Sequence, residues 1–542
     1  MNSRLRDLRS GSSLIAIAAV AAGLCLAASP AGAVDFGDPD SDYYLHLGGW
    51  LRNTTGFNLE KEPATGYDEW YNPSMIRNEL LLDADAKTGP LKWKFIGRLD
   101  REVKTDYLNE LENLNNKQSP NGTAGGDAYM EQYDTTTFSQ FMREAYTDFD
   151  MGSRVHMRLG RQQLVWGESD FFSAMDMIHG YDYRWRLFFE NKEEYRKPLY
   201  MAHTTVAVPE ANSNIDFFLR PGIDPGESIG NSYNIEGGRW IPNPYRGVDF
   251  TAFTEYNYHH RDADKDDPTY GIRWKGQAGE LGYSLAYMRT FNPDPIMNPS
   301  TGAVPQAFGV TNAQSYKGEP VNGTLGDWIY PQINAFGVTG NYYVPAIDAV
   351  ISAEGVFIPK KPYNYGALNS SLPGWGGVRE KDTISSMIRI DKNLDFQDTL
   401  GTNRPSLSSL QIFDTWLTNF KESDEVVEFA SFAHRKHEHT TYVTWFVLLN
   451  FLGDTINPSF VVGVDASNGG GFMIPAVDFA FGDDWRLKLE ADLFWDTASK
   501  SPSATDSNGV HSNLLGVSEH ETAMFGWFHG SDQFVARLTR QF

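Results

Sequence analysis

The stretch Trp485-Arg486-Leu487-Lys488-Leu489-Glu490-Ala491-Asp492-Leu493-Phe494-Trp495 decides the fold. Its odd positions hold Trp485, Leu487, Leu489, Ala491, Leu493 and Trp495, and its even positions hold Arg486, Lys488, Glu490, Asp492 and Phe494. A period of two sends alternate side chains to opposite faces of an extended chain, so this is a strand with one apolar and one charged face. Tryptophan at both ends of the apolar face fits a strand whose ends meet the two interfaces of a bilayer. Similar alternation recurs at 44–59, 76–87, 91–102, 141–151, 154–165 and 281–291. A soluble sandwich also alternates but rarely needs so many strands of this length, whereas a barrel closed in lipid does.

The connections alternate in length. Short ones fall at 87–90, 152–153, 209–213, 276–280, 345–347, 453–456 and 482–484, and long ones at 60–75, 103–140, 166–197, 221–267, 292–331, 359–380 and 498–531. Membrane barrels have short periplasmic turns and long extracellular loops. With 381–391 and 407–418 both strands, the pattern predicts an all-β, antiparallel, up-and-down transmembrane barrel of about 18 strands, with both termini periplasmic; if a loop absorbs both, the count is about 16. The chain ends on Phe542, preceded at alternate positions by Arg540, Leu538, Ala536 and Phe534. Such a terminal aromatic resembles the signal read by the outer-membrane assembly machinery, and Arg540 can snorkel from an interface.

The full chain of 542 residues carries 46 Lys and Arg against 70 Asp and Glu, a net charge of −24. That acidity argues against a nucleic-acid partner, which needs a basic surface. Arg4, Arg6 and Arg9 precede an apolar run from Leu14 to Ala28, followed by Ala31-Gly32-Ala33. This is the pattern of a cleaved signal peptide over residues 1–33, leaving 34–542 as one barrel domain of net charge −26 (−24 less the signal's three Arg and one Asp). The single cysteine, Cys25, lies in the signal. Disulfides, thiol catalysis and cysteine-ligated cofactors are thereby excluded from the mature chain, and no cofactor is expected. Past the signal no stretch approaches the roughly 20 apolar residues of a membrane helix.

The charged faces suggest a register. Pairing 76–87 with 91–102 so that opposed numbers sum to 177 sets Asp85 against Lys92, Asp83 against Lys94, Glu79 against Arg98 and Arg77 against Asp100. A sum of 306 sets Asp148 against Arg158 and Asp150 against His156, and a sum of 966 sets Asp478 against Lys488. These pairs and Glu490 are assigned to the lumen. They either stabilise the wall, each exposed pair contributing about 0 to 1 kcal/mol, or guide ions.

The segment 166–197 is too apolar for a solvated loop tip. It holds Trp166, Phe171, Phe172, Tyr181, Tyr183, Trp185, Phe188 and Phe189, interspersed with Glu168 and Asp170. A large exposed apolar patch invites association, so the segment is expected either to fold inward as a constriction or to form a subunit interface. His434, His437 and His439 could hold a metal, but scattered loop histidines are commoner and no metal is expected. Asp262-Ala263-Asp264-Lys265-Asp266-Asp267 begins like a calcium loop yet has Asp267 where glycine is needed and Arg273 where the closing Glu belongs. No nucleophile elbow, zinc-protease helix or phosphate loop occurs.

Leu159-Gly160-Arg161-Gln162 followed by Trp166-Gly167-Glu168-Ser169, with Asp454-Thr455-Ile456-Asn457-Pro458-Ser459 and Gly482-Asp483-Asp484-Trp485, resembles a family of proteobacterial outer-membrane proteins catalogued as a domain of unknown function. The chain departs from it at Met177-Ile178-His179-Gly180-Tyr181-Asp182. The resemblance implies a place in the Gram-negative outer membrane. It also implies transport of hydrophobic or amphipathic molecules, with an RND-type exporter and a periplasmic protein as partners. The expected function is such a conduit rather than an enzyme. The alternatives are a diffusion porin for small polar solutes and an outer-membrane hydrolase.

Overall fold

The computed structural model describes residues 32–60, 69–118, 132–235, 238–240, 250–366, 372–428, 434–495, 497, 525, 528 and 530–542. Residues 1–31 of the expected signal peptide therefore lie outside the described residues. Eighteen strands form the wall. The first nine are β1 Tyr43–Asn58, β2 Pro73–Thr88, β3 Leu91–Glu102, β4 Met142–Met151, β5 Val155–Gln162, β6 Leu199–Val208, β7 Ser213–Arg220, β8 Thr269–Ala278 and β9 Leu281–Phe291. The rest are β10 Gln332–Val344, β11 Ala349–Tyr365, β12 Gly377–Leu394, β13 Ser406–Leu417, β14 His439–Leu448, β15 Ile456–Asp465, β16 Gly471–Phe481, β17 Trp485–Trp495 and β18 Gln533–Gln541.

Each strand pairs antiparallel with its chain neighbours, and β18 returns to β1 from Gln533↔Asn58 to Gln541↔Trp50. Closure leaves no sheet edge, which a backbone in hydrocarbon requires. The outward positions form the lipid face: Leu82, Leu159, Phe217, Ile272, Val338 and Ile412 are exposed. An apolar belt on a closed antiparallel barrel is the architecture of the Gram-negative outer membrane, with the long connections extracellular. The strands at 377–394 and 406–417 make the count eighteen.

Two sequence expectations are corrected. The β2–β3 register sums to 179, from Thr88↔Leu91 to Arg77↔Glu102. Pro90 has no N–H to give a ladder, and Gly89 takes a φ of +58°; together they form a two-residue turn and move every pair by two. The faces are unchanged, because a slip of two preserves them. Asp83 thus faces Ile96 and Glu79 faces Asp100; Lys94 Nζ lies 2.8 Å from the directly opposed Asp85 and reaches diagonally to Asp83 at 2.6 Å. The connection placed at 359–380 is also shorter, spanning 366–376, because β11 and β12 continue their pairing beyond a bulge at Ile358/Lys361. The sums 306 and 966 describe the other two hairpins.

The largest apolar clusters lie inside the barrel. Strands β2 to β5 turn charge inward, whereas β11 to β17 turn inward Val356, Met387, Phe413, Phe446, Phe472 and Phe494, all buried. What buries them is chiefly one segment of chain, joined at Phe472 and Phe494 by Phe525 and Phe528.

Candidate functional site

After Gln162 the chain leaves the wall, crosses the lumen and rejoins it at Leu199. The two roots of this plug, residues 163–198, are tied by one side chain. His179, fully buried, accepts from the Leu164 N–H at Nε2 (2.9 Å) and donates from Nδ1 to the Lys197 carbonyl (2.9 Å). Both bonds together require the neutral ring, and burial, helped by Arg196, lowers its pKa to about 4. Next to it Gly180 touches backbone: a Cβ there would stand 1.9 Å from the Gly230 carbonyl oxygen. The stretch that departs from the family pattern is therefore the fixed centre of the plug.

Neutral His179 predicts a pH response. Seated, the ring binds no proton until about pH 4, whereas a released ring binds one below its ordinary 6.5. The contribution to seating is full above 6.5 and is lost as pH falls to about 4, by about 3 kcal/mol. Hydrogen exchange of residues 163–198, corrected for intrinsic rates, should rise over that interval. In a His179→Gln variant the step should vanish; a step that survives would assign it to another group.

Beyond its roots the plug reaches strands on the far side of the barrel. Trp166 meets Phe218 edge to face at 5.2 Å and lies under the Arg273 guanidinium at 5.1 Å. Glu168 accepts from Asn341 Nδ2 (3.2 Å) and gives its backbone N–H to Glu354, and its carbonyl accepts from Arg389 (2.9 Å). Asp170 takes Arg389 (3.0 Å) and Gln411 (3.0 Å). Phe171 contacts Phe446 and Phe472, and Phe172 stacks on Tyr442 at 4.9 Å. Tyr183 stacks on Tyr233, Tyr181 donates to Asp176 (2.7 Å), and the Trp185 ring carries the Arg98 guanidinium at 4.7 Å.

The strongest anchor was not visible in the sequence. Arg186, buried, bonds Glu190 of the plug (2.6 Å) and both Glu490 and Asp492 (2.7 Å) of β17. Arg537 of β18 also reaches Glu190, and Lys488 lies 2.7 Å from Glu490. A signal did exist: Glu490 faces Ala476 on one side and Val535 on the other, so no directly opposed cation neutralises it. A carboxylate in that position needs a cation from elsewhere.

The charge ladder divides in two. Towards the outside, Arg77 donates to the Trp185 carbonyl (2.7 Å) and lies 3.4 Å from Glu102. There Glu79 takes Arg52 (3.5 Å), and Arg98 holds Asp100 (3.0 Å) and the Glu194 carbonyl (2.6 Å). These residues grip the plug. Towards the periplasm, Asp83, Asp85 and Lys94 pair along the wall, Arg158 holds Asp148 (2.8 Å), and Lys92 faces Asp148. Asp478 faces Lys488, whose ammonium turns instead to Glu490. Phe542 follows β18, exchanging backbone hydrogen bonds with Gly49.

His439 bonds Asp414 (2.9 Å) and stacks on Trp416, while the His434 side chain lies outside the described residues. In the acidic hairpin, Asp264 and Asp266 gather with His259, all three solvent-accessible. Cavities of about 630 Å³ and 230 Å³ flank the plug: the larger reaches Asn212 and Glu280 at the periplasmic turns, and the smaller lies among Arg98, Glu102 and Arg184 on the outer side.

Among solved structures, the chain is similar to the Salmonella typhi OmpF complex with daunomycin (9% identity, TM-score 0.39, covering 94% of this chain and 100% of that one). It is similar to Pseudomonas aeruginosa OccK3 (OpdO) (10%, TM-score 0.41, covering 92% and 95%) and to the outer membrane channel DcaP of Acinetobacter baumannii (9%, TM-score 0.36, covering 95% and 99%). Scores this low carry no argument about function, and the barrel rests on its own hydrogen-bond register. No curated protein matches the sequence. The family described as Protein of unknown function (DUF1302) matches residues 14–514, nearly the whole length, and the chain belongs to it.

Proposed function

We propose that the barrel is a gated outer-membrane conduit for hydrophobic or amphipathic molecules, with residues 163–198 as its constriction and gate. One observation carries this reading. The inner wall from β11 to β17 carries an apolar and aromatic band (Val356, Ile358, Met387, Phe413, Phe472, Phe494) beside the polar anchors Glu354, Arg389, Glu490 and Asp492, while β2 to β5 turn mostly charge inward. A passage for small polar solutes works through a wet lumen, and an apolar inner wall serves a solute with apolar surface of its own. An RND-type exporter and a periplasmic protein are the partners that fit such a conduit.

Two measurements made together test the reading. In planar bilayers the intact barrel should show little steady ion conductance. Cells expressing it should take up the apolar probe N-phenylnaphthylamine faster than cells without it. Steady porin-like conductance with no gain in probe uptake would overturn the proposal in favour of a diffusion porin. Cross-linking in intact envelopes should recover an RND-type exporter; repeated failure would remove that partner.

A further inference from the structure

The cavity on the outer side of the plug inverts the charge of the chain. Its lining holds seven basic side chains against five acidic ones, in a protein with 46 basic and 70 acidic residues. Four of the seven are matched: Arg77 and Arg239 by Glu102, Arg98 by Asp100, and Arg184 by Asp182. Among the described residues the other three make no ion pair and are held by neutral atoms. Arg143 donates to the carbonyls of Glu193 (2.9 Å) and Arg196 (2.8 Å), and Arg161 to that of Ser139 (2.7 Å). Lys197 donates to the Glu227 carbonyl (2.9 Å) and to Ser232 Oγ (2.7 Å). Of the remaining lining carboxylates, Asp134 is paired with Arg101, and Glu227 accepts from Ser139 Oγ at 3.4 Å.

Buried donors without acceptors mark the same place. Among the described residues, the Nε–H groups of Arg77, Arg161 and Arg239, in side chains more than nine-tenths buried, have no hydrogen-bond partner. An unmatched buried cation costs far more than a surface one, and a row of guanidinium donors offers the forked geometry that a planar anion fills. Burial also pushes the Lys197 ammonium down to about 7, with Arg184 adding to the shift and Asp182 and Glu227 opposing it, so an anion bound beside it would hold its charge. The lining is not wholly polar. Trp240 belongs both to this cavity and to the aromatic cluster of Phe188, Phe189 and Phe525 that fills the barrel behind it.

We infer that this outer cavity is a recognition site for the carboxylate of an organic anion, with Arg143, Arg161 and Lys197 supplying the unmatched charge and Trp240 contacting the apolar body. This deepens the conduit reading and rests on it: the transported molecule is an amphiphile with an anionic head. At about 230 Å³ the cavity takes a headgroup and the first carbons, not a whole lipid.

The probe is benzoate, titrated calorimetrically into the purified barrel, with benzyl alcohol and inorganic phosphate as comparisons. Benzoate should bind and benzyl alcohol should not, because the two share the ring and differ in charge. Arg161→Gln and Lys197→Gln should each weaken benzoate by about tenfold or more, the loss of one charge-assisted contact. Heat-modifiable mobility on gels reports whether each variant is folded, and Arg161→Lys should recover part of the affinity. Binding of phosphate without benzoate, or equal binding of benzoate and benzyl alcohol, would overturn the site. If benzoate fails to bind while expressing cells still take up N-phenylnaphthylamine, the anion site falls and the conduit stands. If benzoate binds and uptake is absent, the site stands and the conduit falls.

Discussion

Arg186→Met is expected to convert a closed barrel into a conducting one. The guanidinium holds three buried carboxylates, Glu190, Glu490 and Asp492, across the seam between plug and wall. Removing the cation leaves those carboxylates facing one another with Arg537 and Lys488 as their remaining partners. Breaking a buried ion cluster from one side costs about 3 to 5 kcal/mol. The wall has its own ladder of hydrogen bonds, so the cost falls on the seating of residues 163–198 rather than on the strands. Planar bilayer recordings should show steady conductance for Arg186→Met and little for the parent, while heat-modifiable mobility stays that of a closed barrel. The triple change Arg186→Met, Glu490→Gln, Asp492→Asn should recover part of the closure, because replacing a whole buried ionic cluster by neutral groups is far less costly than halving it. A variant that stays closed would locate the seal elsewhere in the plug.

Leu489→Arg should fail at assembly. Leu489 lies midway along β17, paired with Val477 and Ala536, on the face that carries Trp485 and Trp495 at its ends. An arginine facing lipid at the midplane costs about 2 to 4 kcal/mol. The same change one position along reaches a different environment. Glu490 points inward but is only 3% exposed, so it is an anchor of the plug rather than a residue bathed by a channel. Glu490→Gln should therefore keep the barrel folded and raise conductance by weakening the Arg186 cluster. Gel mobility separates the two variants: loss of the heat-modifiable form for Leu489→Arg with its retention for Glu490→Gln is the expected result. The reverse pattern would mean that the faces of β17 are exchanged.

The wall was legible because a barrel strand writes its two environments alternately into the sequence. Trp485 to Trp495 shows both faces in eleven residues, and β17 has those same ends. Register was less legible. Charge complementarity favoured a sum of 177, but arginine and lysine reach diagonally, so Lys94 serves Asp83 and Asp85 alike and cannot distinguish registers two residues apart. The turn chemistry of Gly89-Pro90 decides it, and a missing proline N–H is stronger information than mobile charges. The aromatic content of 166–189 marked that segment as needing shelter. The partners that shelter it were out of reach, since Arg186 and Glu490 are 304 positions apart and no local pattern joins them. His179 looked like one loop histidine among several, because its role depends on Leu164 and Lys197 being brought together by the return of the chain to the wall.

That long reach has a consequence for biogenesis. The plug emerges between the fifth and sixth strands, yet part of its seat lies on the last two: Glu190 meets Arg537 at a distance of 347 positions. Contacts so remote in sequence can form only after the intervening chain is in place. The same carboxy-terminal hairpin that zips the wall shut also completes the stopper's seat. During insertion the plug lacks the part of its seat made by Glu490, Asp492 and Arg537 until the last two strands are in place. Full seating is thus timed by completion: a chain truncated before β18 would lack not only its closing strand but also the Arg537 contact to Glu190.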